Sequence, residues 1–113
     1  MYNHCALEAR LTSDPKIQKT KNDIPYIMLR LACPRNQKAD GKEVSDFISC
    51  MVWRGQAEFV ANNFKKGSMI LVAGRLENIP KKDPDGSYRD DVLLNAAEVN
   101  FCGYTRNTSE SKI

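Results

Sequence analysis

Apolar and polar side chains alternate along three stretches of the chain, residues 5–11, 26–33 and 46–53. A period of two predicts β-strands that each bury one face. The inward positions carry small and aliphatic residues, namely Cys5, Leu7, Ala9, Leu11, Ile27, Leu29, Leu31, Cys33, Ile48, Cys50 and Val52. Pro34 is expected to end the second strand, because proline cannot donate a ladder hydrogen bond.

The period changes to that of a helix over residues 56–66. Apolar side chains recur there at the i, i+3, i+4 and i+7 positions, which are Ala57, Val60, Ala61 and Phe64. Lys65, Lys66 and Gly67 follow, and cations before a glycine are typical of a helix C-terminus. The sequence therefore predicts one short helix that rests on a core.

The C-terminal half continues with a mostly apolar run, residues 69–76, that predicts a fourth strand. Gly74 within it indicates a bulge or bend. We expect a fifth strand from about Asp91 and a last short extended segment, residues 98–102. Two loops with strong turn signals are expected. Residues 35–45, between the second and third strands, are expected to form a mobile finger, and residues 77–91 connect the fourth and fifth strands.

The order of three strands, a helix and two strands is that of the OB-fold. We therefore predict an all-β domain over residues 1–103, a five-stranded Greek-key barrel with one short helix between strands 3 and 4. Short strands separated by turn signals also suit a small sandwich. Residues 104–113 are polar without periodicity, and we expect a short disordered tail.

Composition changes this picture little. The chain has 113 residues, 42% of them hydrophobic and 27% charged, which suits one globular domain. It lacks both an apolar run of about 18 residues and the apolar region of a signal peptide, so we expect a cytoplasmic protein without membrane contact. Residues 1–75 carry 12 basic against 7 acidic side chains, whereas residues 76–113 carry 5 against 7. The basic part is therefore the candidate binding side.

Candidate catalytic chemistry is sparse. His4 is the only histidine and has no nucleophile or paired carboxylate near it in sequence. The four cysteines have no metal-binding spacing and are interpreted as buried, reduced thiols. A glycine-rich phosphate loop is also missing. We therefore expect no enzyme activity, no metal and no cofactor.

The outward positions of two neighbouring strands are unusual. Phe47 and Trp53 share the outer face of the third strand, and Tyr26, Met28 and Arg30 share that of the second. Aromatic rings beside cations suit stacking with nucleic-acid bases. The alternative from the residues alone is a face covered by another subunit.

Several motifs occur in a specific order: MYN at the start, ARLTSDP, DFISCMVW, QAEFVANNFKKGS and a strand ending in GRL. Through them the chain resembles the bacterial-type single-stranded-DNA-binding protein family, from Met1 to about Phe101. The resemblance implies an OB-fold that assembles, usually as a homotetramer, and binds single-stranded DNA in replication, recombination or repair. It implies that bases stack on Phe47 and Trp53.

The resemblance also places Arg30 on the face that contacts DNA. Arg10, Arg54 and Lys66 are candidate phosphate contacts, and the basic finger adds Arg35 and Lys38.

The chain departs from the resembled family at several places. The finger and the loop after the fourth strand lack the aromatic residues that are common there, and Glu8-Ala9 replaces an apolar residue and a glycine. Most members end in a long tail with an acidic tip, whereas this sequence ends at Ile113. We thus expect a tail-less member that recruits no partners through such a tail. The alternative function is that of a primosomal-type OB-fold adaptor, a dimer that acts mainly through protein contacts.

Overall fold

The computed structural model describes the backbone of residues 1–102 and their side chains, except those of residues 36–39 and 43. The predicted polar tail, residues 104–113, lies outside the described residues. The elements in chain order are β1 Cys5–Leu11, β2 Gln18–Lys19, β3 Pro25–Ala39, β4 Lys42–Trp53, α1 Arg54–Asn63, β5 Met69–Lys82 and β6 Tyr88–Phe101.

Five of these strands close into a barrel. The sheet order is β1-β5-β6-β4-β3-β2, and β1 also pairs with β3, through Arg10 opposite Ala32 and Leu11 opposite Leu31. All strand pairs are antiparallel except β4 and β6, which are parallel and place Ser49 opposite Leu93. β2 adds a two-residue ladder to the outer edge of β3. This closed sheet with one helix between the third and fourth barrel strands confirms the predicted OB-fold.

The predicted inward faces of the strands form the core. Their aliphatic side chains meet inside the barrel, and α1 adds Ala57 and Val60, both fully buried. The largest fully buried side chains are Ile27, Leu31, Cys50, Val52, Val60, Ile70, Val72 and Leu94. The sheet and the helix therefore share one core, and the opposite strand faces remain available to a ligand.

Gly74 lies at a β-bulge, as the sequence predicts. The register between β5 and β6 shifts here, because Ala73 lies opposite Glu98 whereas Gly74 lies opposite Ala96. A Cβ atom at position 74 would overlap the backbone carbonyl oxygen of Asn95. Only glycine fits here, because the extra residue of the bulge, Ala97, belongs to β6 and the β6 backbone from Asn95 to Ala97 lies against Gly74.

The prediction that Pro34 ends its strand is wrong. β3 continues to Ala39, and Pro34 lies opposite Ser45 in the ladder with β4. From Pro34 onwards β3 has β4 on one side and no other paired strand within the described chain, so the missing N–H costs no ladder bond. Residues 35–45 are thus the end of a hairpin, which turns at Asp40 (φ 53°) and Gly41 (φ 76°).

The prediction of a loop over residues 77–91 is also wrong. β5 continues to Lys82 and β6 begins at Tyr88, and the two pair along their whole length. The expected turn does form, because Asp83 N–H donates to Ser87 O at 2.8 Å and Gly86 has a φ of 94°. Backbone pairing sustains this mostly polar arm, in which Ile79, Tyr88 and Val92 are isolated among charged and polar residues. The last segment, residues 98–102, is likewise part of β6 up to Phe101 rather than a separate closing strand.

The helix ends earlier than predicted. α1 stops at Asn63, and Phe64 is already extended with a φ of −128°. Gly67, at a φ of 88°, belongs to the following turn, in which Ser68 N–H donates to Lys65 O. The burial prediction for the cysteines is half right: Cys50 and Cys102 are buried, whereas Cys5 and Cys33 are half-buried.

Candidate nucleic-acid interface

The outward residues of β3 and β4 form cross-strand rows on one face of the barrel. Tyr26 lies opposite Trp53, Met28 opposite Met51, and Arg30 opposite Ser49. Phe47 lies opposite Ala32, which in turn lies opposite Arg10 of β1. We call these outward residues the stacking face. Their alternation follows from the inward burial of Ile27, Leu29, Cys50 and Val52.

Tyr26 and Trp53 are in ring contact at one end of the stacking face. Their ring centroids are 5.5 Å apart and the ring planes are inclined by 40°. The Tyr26 hydroxyl donates a hydrogen bond to Gln18 Oε1 at 3.0 Å, which ties the ring to β2. Each ring is half-buried, so the pair is oriented and still presents apolar surface to a ligand.

Phe47 lies at the other end of the stacking face and is 54% exposed. No apolar packing explains an exposed phenylalanine on a strand face, which makes it a candidate contact for a flat ligand. Phe47 and Trp53 are six residues apart, or three steps of about 6.6–6.8 Å along one face. The two rings are therefore separated enough to contact different bases.

Cations lie between and beside the rings. The Arg30 side chain donates from Nη1 to Ser49 Oγ at 2.9 Å, which holds it across the face between Met28 and Phe47. Arg10, in the Phe47 row, donates from Nη1 to Gly67 O at 2.9 Å. Both side chains are exposed. Each guanidinium has further N–H groups that can donate to phosphate.

Arg54 follows Trp53 directly and begins α1. Its φ is 57°, a left-handed conformation that is unusual for a residue with a Cβ. The chain turns here from strand to helix within one residue. Arg54 therefore follows Trp53 directly, and its side chain is exposed outside the core. Residues held in such sparsely populated backbone conformations cluster at ligand-binding and active sites.

The finger cations differ from the others. Arg35 forms a bidentate ion pair with Asp46, with Nη2 2.7 Å from Oδ1 and Nε 3.0 Å from Oδ2. The hydrogen bond from Arg35 lowers the pKa of Asp46, and the same bond raises the pKa of Arg35. The predicted phosphate contact is therefore already partnered by a carboxylate. The Lys38 backbone pairs with Glu43, and its side chain lies outside the described ones.

Lys66 lies in the turn after α1. Its backbone N–H donates to Asp14 Oδ1 at 2.8 Å, and its side chain lines a groove together with Met28. The structure thus brings Lys66, from a distant part of the sequence, to the border of the stacking face.

Other chemistry finds no support among the described residues. No group of three or more His, Cys, Asp or Glu side chains within residues 1–102 could hold a metal ion. Burial raises the pKa of the Cys50 thiol to about 12, which keeps it protonated and unreactive at neutral pH. No helix in the described part of the chain is long and apolar enough to cross a membrane.

The alternation that places Phe47 and Trp53 on one face also places Ser49 and Met51 there, although neither was named as a DNA contact. Gln18 gave no such signal, because it lies in a polar stretch without periodicity. Its position became visible only through its hydrogen bond to Tyr26.

A closed barrel with aromatic and cationic side chains across the outer face of adjacent strands defines the class of OB-fold binding proteins. A family model described as the single-strand binding protein family matches residues 2–102, and the chain belongs to this family.

Named bacterial relatives agree with this assignment. The chain is 44% identical over 102 residues to single-stranded DNA-binding protein A of Bacillus subtilis, covering 89% of this chain and 59% of the relative. It is 41% identical over 111 residues to single-stranded DNA-binding protein 2 of Listeria monocytogenes, covering 97% and 69%. For the single-stranded DNA-binding protein of Bacillus cereus the identity is 40% over 103 residues, covering 87% and 59%. The chain thus spans about three fifths of the length of these Bacillus relatives.

Proposed function

We propose that this protein binds single-stranded DNA without sequence preference. The observation that carries the proposal is the stacking face, where exposed Phe47 and the Tyr26–Trp53 pair lie on one surface with Arg30 between them. Rings of this kind stack on any base, because every base has a flat π-face. Unpaired bases are accessible to such rings, whereas stacked duplex bases are not.

Phosphate contacts supply the rest of the affinity in this proposal. Arg10, Arg30, Arg54 and Lys66 border the rings and, within the described residues, are not ion-paired. Phosphates are the same in every sequence, so contacts of this kind position a strand without selecting it. Stacking and phosphate contacts together favour coating of a strand over recognition of one site.

We further propose a non-enzymatic role in protecting unpaired DNA during replication, recombination or repair, in the bacterial cytoplasm. The relatives are named as single-stranded DNA-binding proteins, which supports the role. Free thiols at Cys5, Cys33 and Cys50 support a reducing compartment.

We propose that the protein assembles as a homo-oligomer, with a tetramer favoured over a dimer. β1 pairs with β5 over Cys5–Arg10, but it meets β3 only at Arg10 and Leu11. One edge of β1 over residues 5–9 therefore has no strand partner within the described chain. An unpaired edge is suited to pairing with another subunit.

The proposed function is tested by titrating the full chain with dT oligomers and following the fluorescence of Trp53, the only tryptophan. We expect the Trp53 fluorescence to be quenched until the protein is saturated with DNA. We also expect a plot of log K against log salt concentration to have a slope of about −0.7 for each phosphate contacted. Duplex DNA of the same length is the control and is expected to bind weakly. An absence of both quenching and binding with dT would contradict the proposal. Weak DNA binding by a stable dimer would favour the adaptor function instead.

A further inference from the structure

A groove of about 480 Å³ opens beside the stacking face. One wall comes from the turn after β1, with Ser13 and Lys16, and the other from the turn after α1, with Lys66. Its size falls within the range of about 300 to 1,000 Å³ that is usual for ligand sites.

Hydrogen bonds hold the two walls together. Gly67 N–H donates to Leu11 O at 2.8 Å, and Leu11 N–H donates to Ser68 O at 3.0 Å. The Lys66 N–H bond to Asp14 and the Arg10 bond to Gly67 O close the same junction. The groove is therefore formed before any ligand arrives, which lowers the entropic cost of binding.

The charge of the groove suits an anion. Lys16 and Lys66 are exposed, and neither forms an ion pair with another described residue. Cations elsewhere do form such pairs, for example Lys19 with Asp23 and Arg89 with Asp83. Asp14 is the one carboxylate that lines the groove, and one of its oxygens already accepts the Lys66 N–H.

The groove is continuous with the stacking face. Met28 lines the groove and stands in the outward row between Tyr26 and Arg30, where it is 42% exposed. Gln18 also lines the groove and accepts the hydrogen bond of Tyr26. A strand whose base rests on the Tyr26–Trp53 pair can therefore continue over Met28 into the groove without leaving the surface.

We propose that this groove is a further subsite for the same DNA strand, and the inference rests on the proposed function. It takes the sugar-phosphate segment next to the nucleotide stacked on Tyr26 and Trp53. Lys16 and Lys66 contact its phosphates, and the Met28 side chain contacts its apolar atoms. The strand therefore enters or leaves the stacking face between the turn after β1 and the turn after α1.

The test uses the full-length chain and dT oligomers lengthened one nucleotide at a time. Lys16→Ala and Lys66→Ala are compared with Lys21→Ala and Lys65→Ala, which remove exposed lysines that do not line the groove. We expect Lys16→Ala to bind the longer oligomers about two- to fivefold more weakly, as an exposed ion pair contributes, and to bind the shortest quenching oligomers as the parent does. Lys66 also borders the rings, so Lys66→Ala should weaken the binding of short and long oligomers alike. The slope of log K against log salt concentration should become about 0.7 less steep for each lysine variant of the groove and remain unchanged for the two controls.

An uncharged variant separates occupancy of the groove from general electrostatics. Ser13→Phe places a ring in the groove and leaves every cation in place. It is expected to weaken the binding of the longer oligomers only. If all three groove variants bind every oligomer like the parent while Trp53→Ala binds weakly, the groove is not a subsite and the stacking face stands. If the parent itself neither binds dT nor shows quenching, the proposed function fails, and the groove inference fails with it.

Discussion

Tyr26 and Trp53 face each other across β3 and β4, with ring centroids 5.5 Å apart and ring planes inclined by 40°. The two rings lie at the open end of one hairpin, one on each strand, 27 positions apart in the sequence. Their pairing requires the register in which Ile27 and Val52, one step further along, both face the core. The packing of the inner face thus determines the geometry of the outer one.

The first prediction concerns the rings. Trp53→Ala and Phe47→Ala should each weaken dT binding by about 1–3 kcal/mol, because each removes one base-stacking surface. Tyr2→Ala is the control, since Tyr2 is an exposed aromatic that precedes β1 and is not part of the stacking face. Anisotropy titrations give the binding constant of each variant for dT oligomers, and unfolding curves show whether each variant is folded. Unchanged affinity in both ring variants would rule out the stacking assignment.

The second prediction concerns the ion pair of Arg35 with Asp46. Asp46→Asn should strengthen DNA binding and steepen its salt dependence, because the guanidinium is released from a carboxylate 2.7 Å away. Asp23→Asn, which removes the partner of Lys19, is the matched control. A variant that binds no tighter than the parent would show that Arg35 does not reach the DNA.

The same pair predicts a pH dependence of stability. Arg35 lowers the pKa of Asp46 in the folded state. The pair therefore stabilises the fold at pH values above the unfolded carboxyl pKa, and this contribution is lost as the pH falls through the folded pKa. The difference in unfolding free energy between the parent and Asp46→Asn should shrink on acidification, and an NMR titration of the Asp46 carboxyl group would measure the shift directly.

The sequence predicted the barrel and the stacking face because both depend on local alternation. Burial of Cys50 and Val52 forces Phe47 and Trp53 outward, and this can be inferred from the residues alone. The lengths of the two hairpins could not be inferred this way. Beyond Pro34 and Leu76 the strands continue on backbone hydrogen bonds between mostly polar residues, and the few apolar ones, such as Val44, Ile79 and Val92, form no alternating pattern.

The groove was beyond sequence reasoning for a different reason. Lys16 and Lys66 are 50 positions apart, and they approach only because the turn after α1 is bonded to the end of β1. The Arg35–Asp46 pair was missed similarly, since it links residues on two strands whose ladder was predicted to end before Arg35.

The third prediction compares two glycines. Gly74→Ala should destabilise the fold by about 1–3 kcal/mol, because its Cβ would overlap the carbonyl oxygen of Asn95 at the bulge. Gly55→Ala should instead stabilise it by up to about 0.5–1 kcal/mol, since Gly55 lies in α1 with no atom within 4 Å of an added Cβ. Chemical denaturation measures both. Equal effects of the two substitutions would contradict the bulge geometry.

The fourth prediction concerns assembly. The chain should sediment as an oligomer at micromolar concentration, and Glu8→Gln should strengthen the association. Glu8 is exposed on β1 beside the open strand edge, and two such carboxylates facing each other across a two-fold axis repel. Glutamine still offers an oxygen to the Cys102 thiol, which lies 3.1 Å from the Glu8 carboxylate. Glu98→Gln, on β6, is the control, and a monomeric parent would overturn the prediction.

The last prediction concerns Arg54, whose φ of 57° is the conformation that glycine adopts most easily. Left-handed backbone costs a residue with a Cβ about 1–2 kcal/mol, and glycine adds about 0.5–1 kcal/mol of chain entropy to folding. Arg54→Gly should therefore raise the free energy of unfolding by about 0.5–1 kcal/mol. Arg54→Ala retains the Cβ and should give no such gain.

DNA binding separates the role of the side chain from that of the backbone. If Arg54 contacts phosphate beside Trp53, the glycine and alanine variants should bind dT equally weakly, and Arg54→Lys should retain most of the affinity. The more stable glycine variant would then be the poorer binder, which is the expected relation when strain is maintained for ligand contact. A glycine variant that is both more stable and undiminished in dT binding would show that the left-handed turn serves the strand-to-helix junction alone.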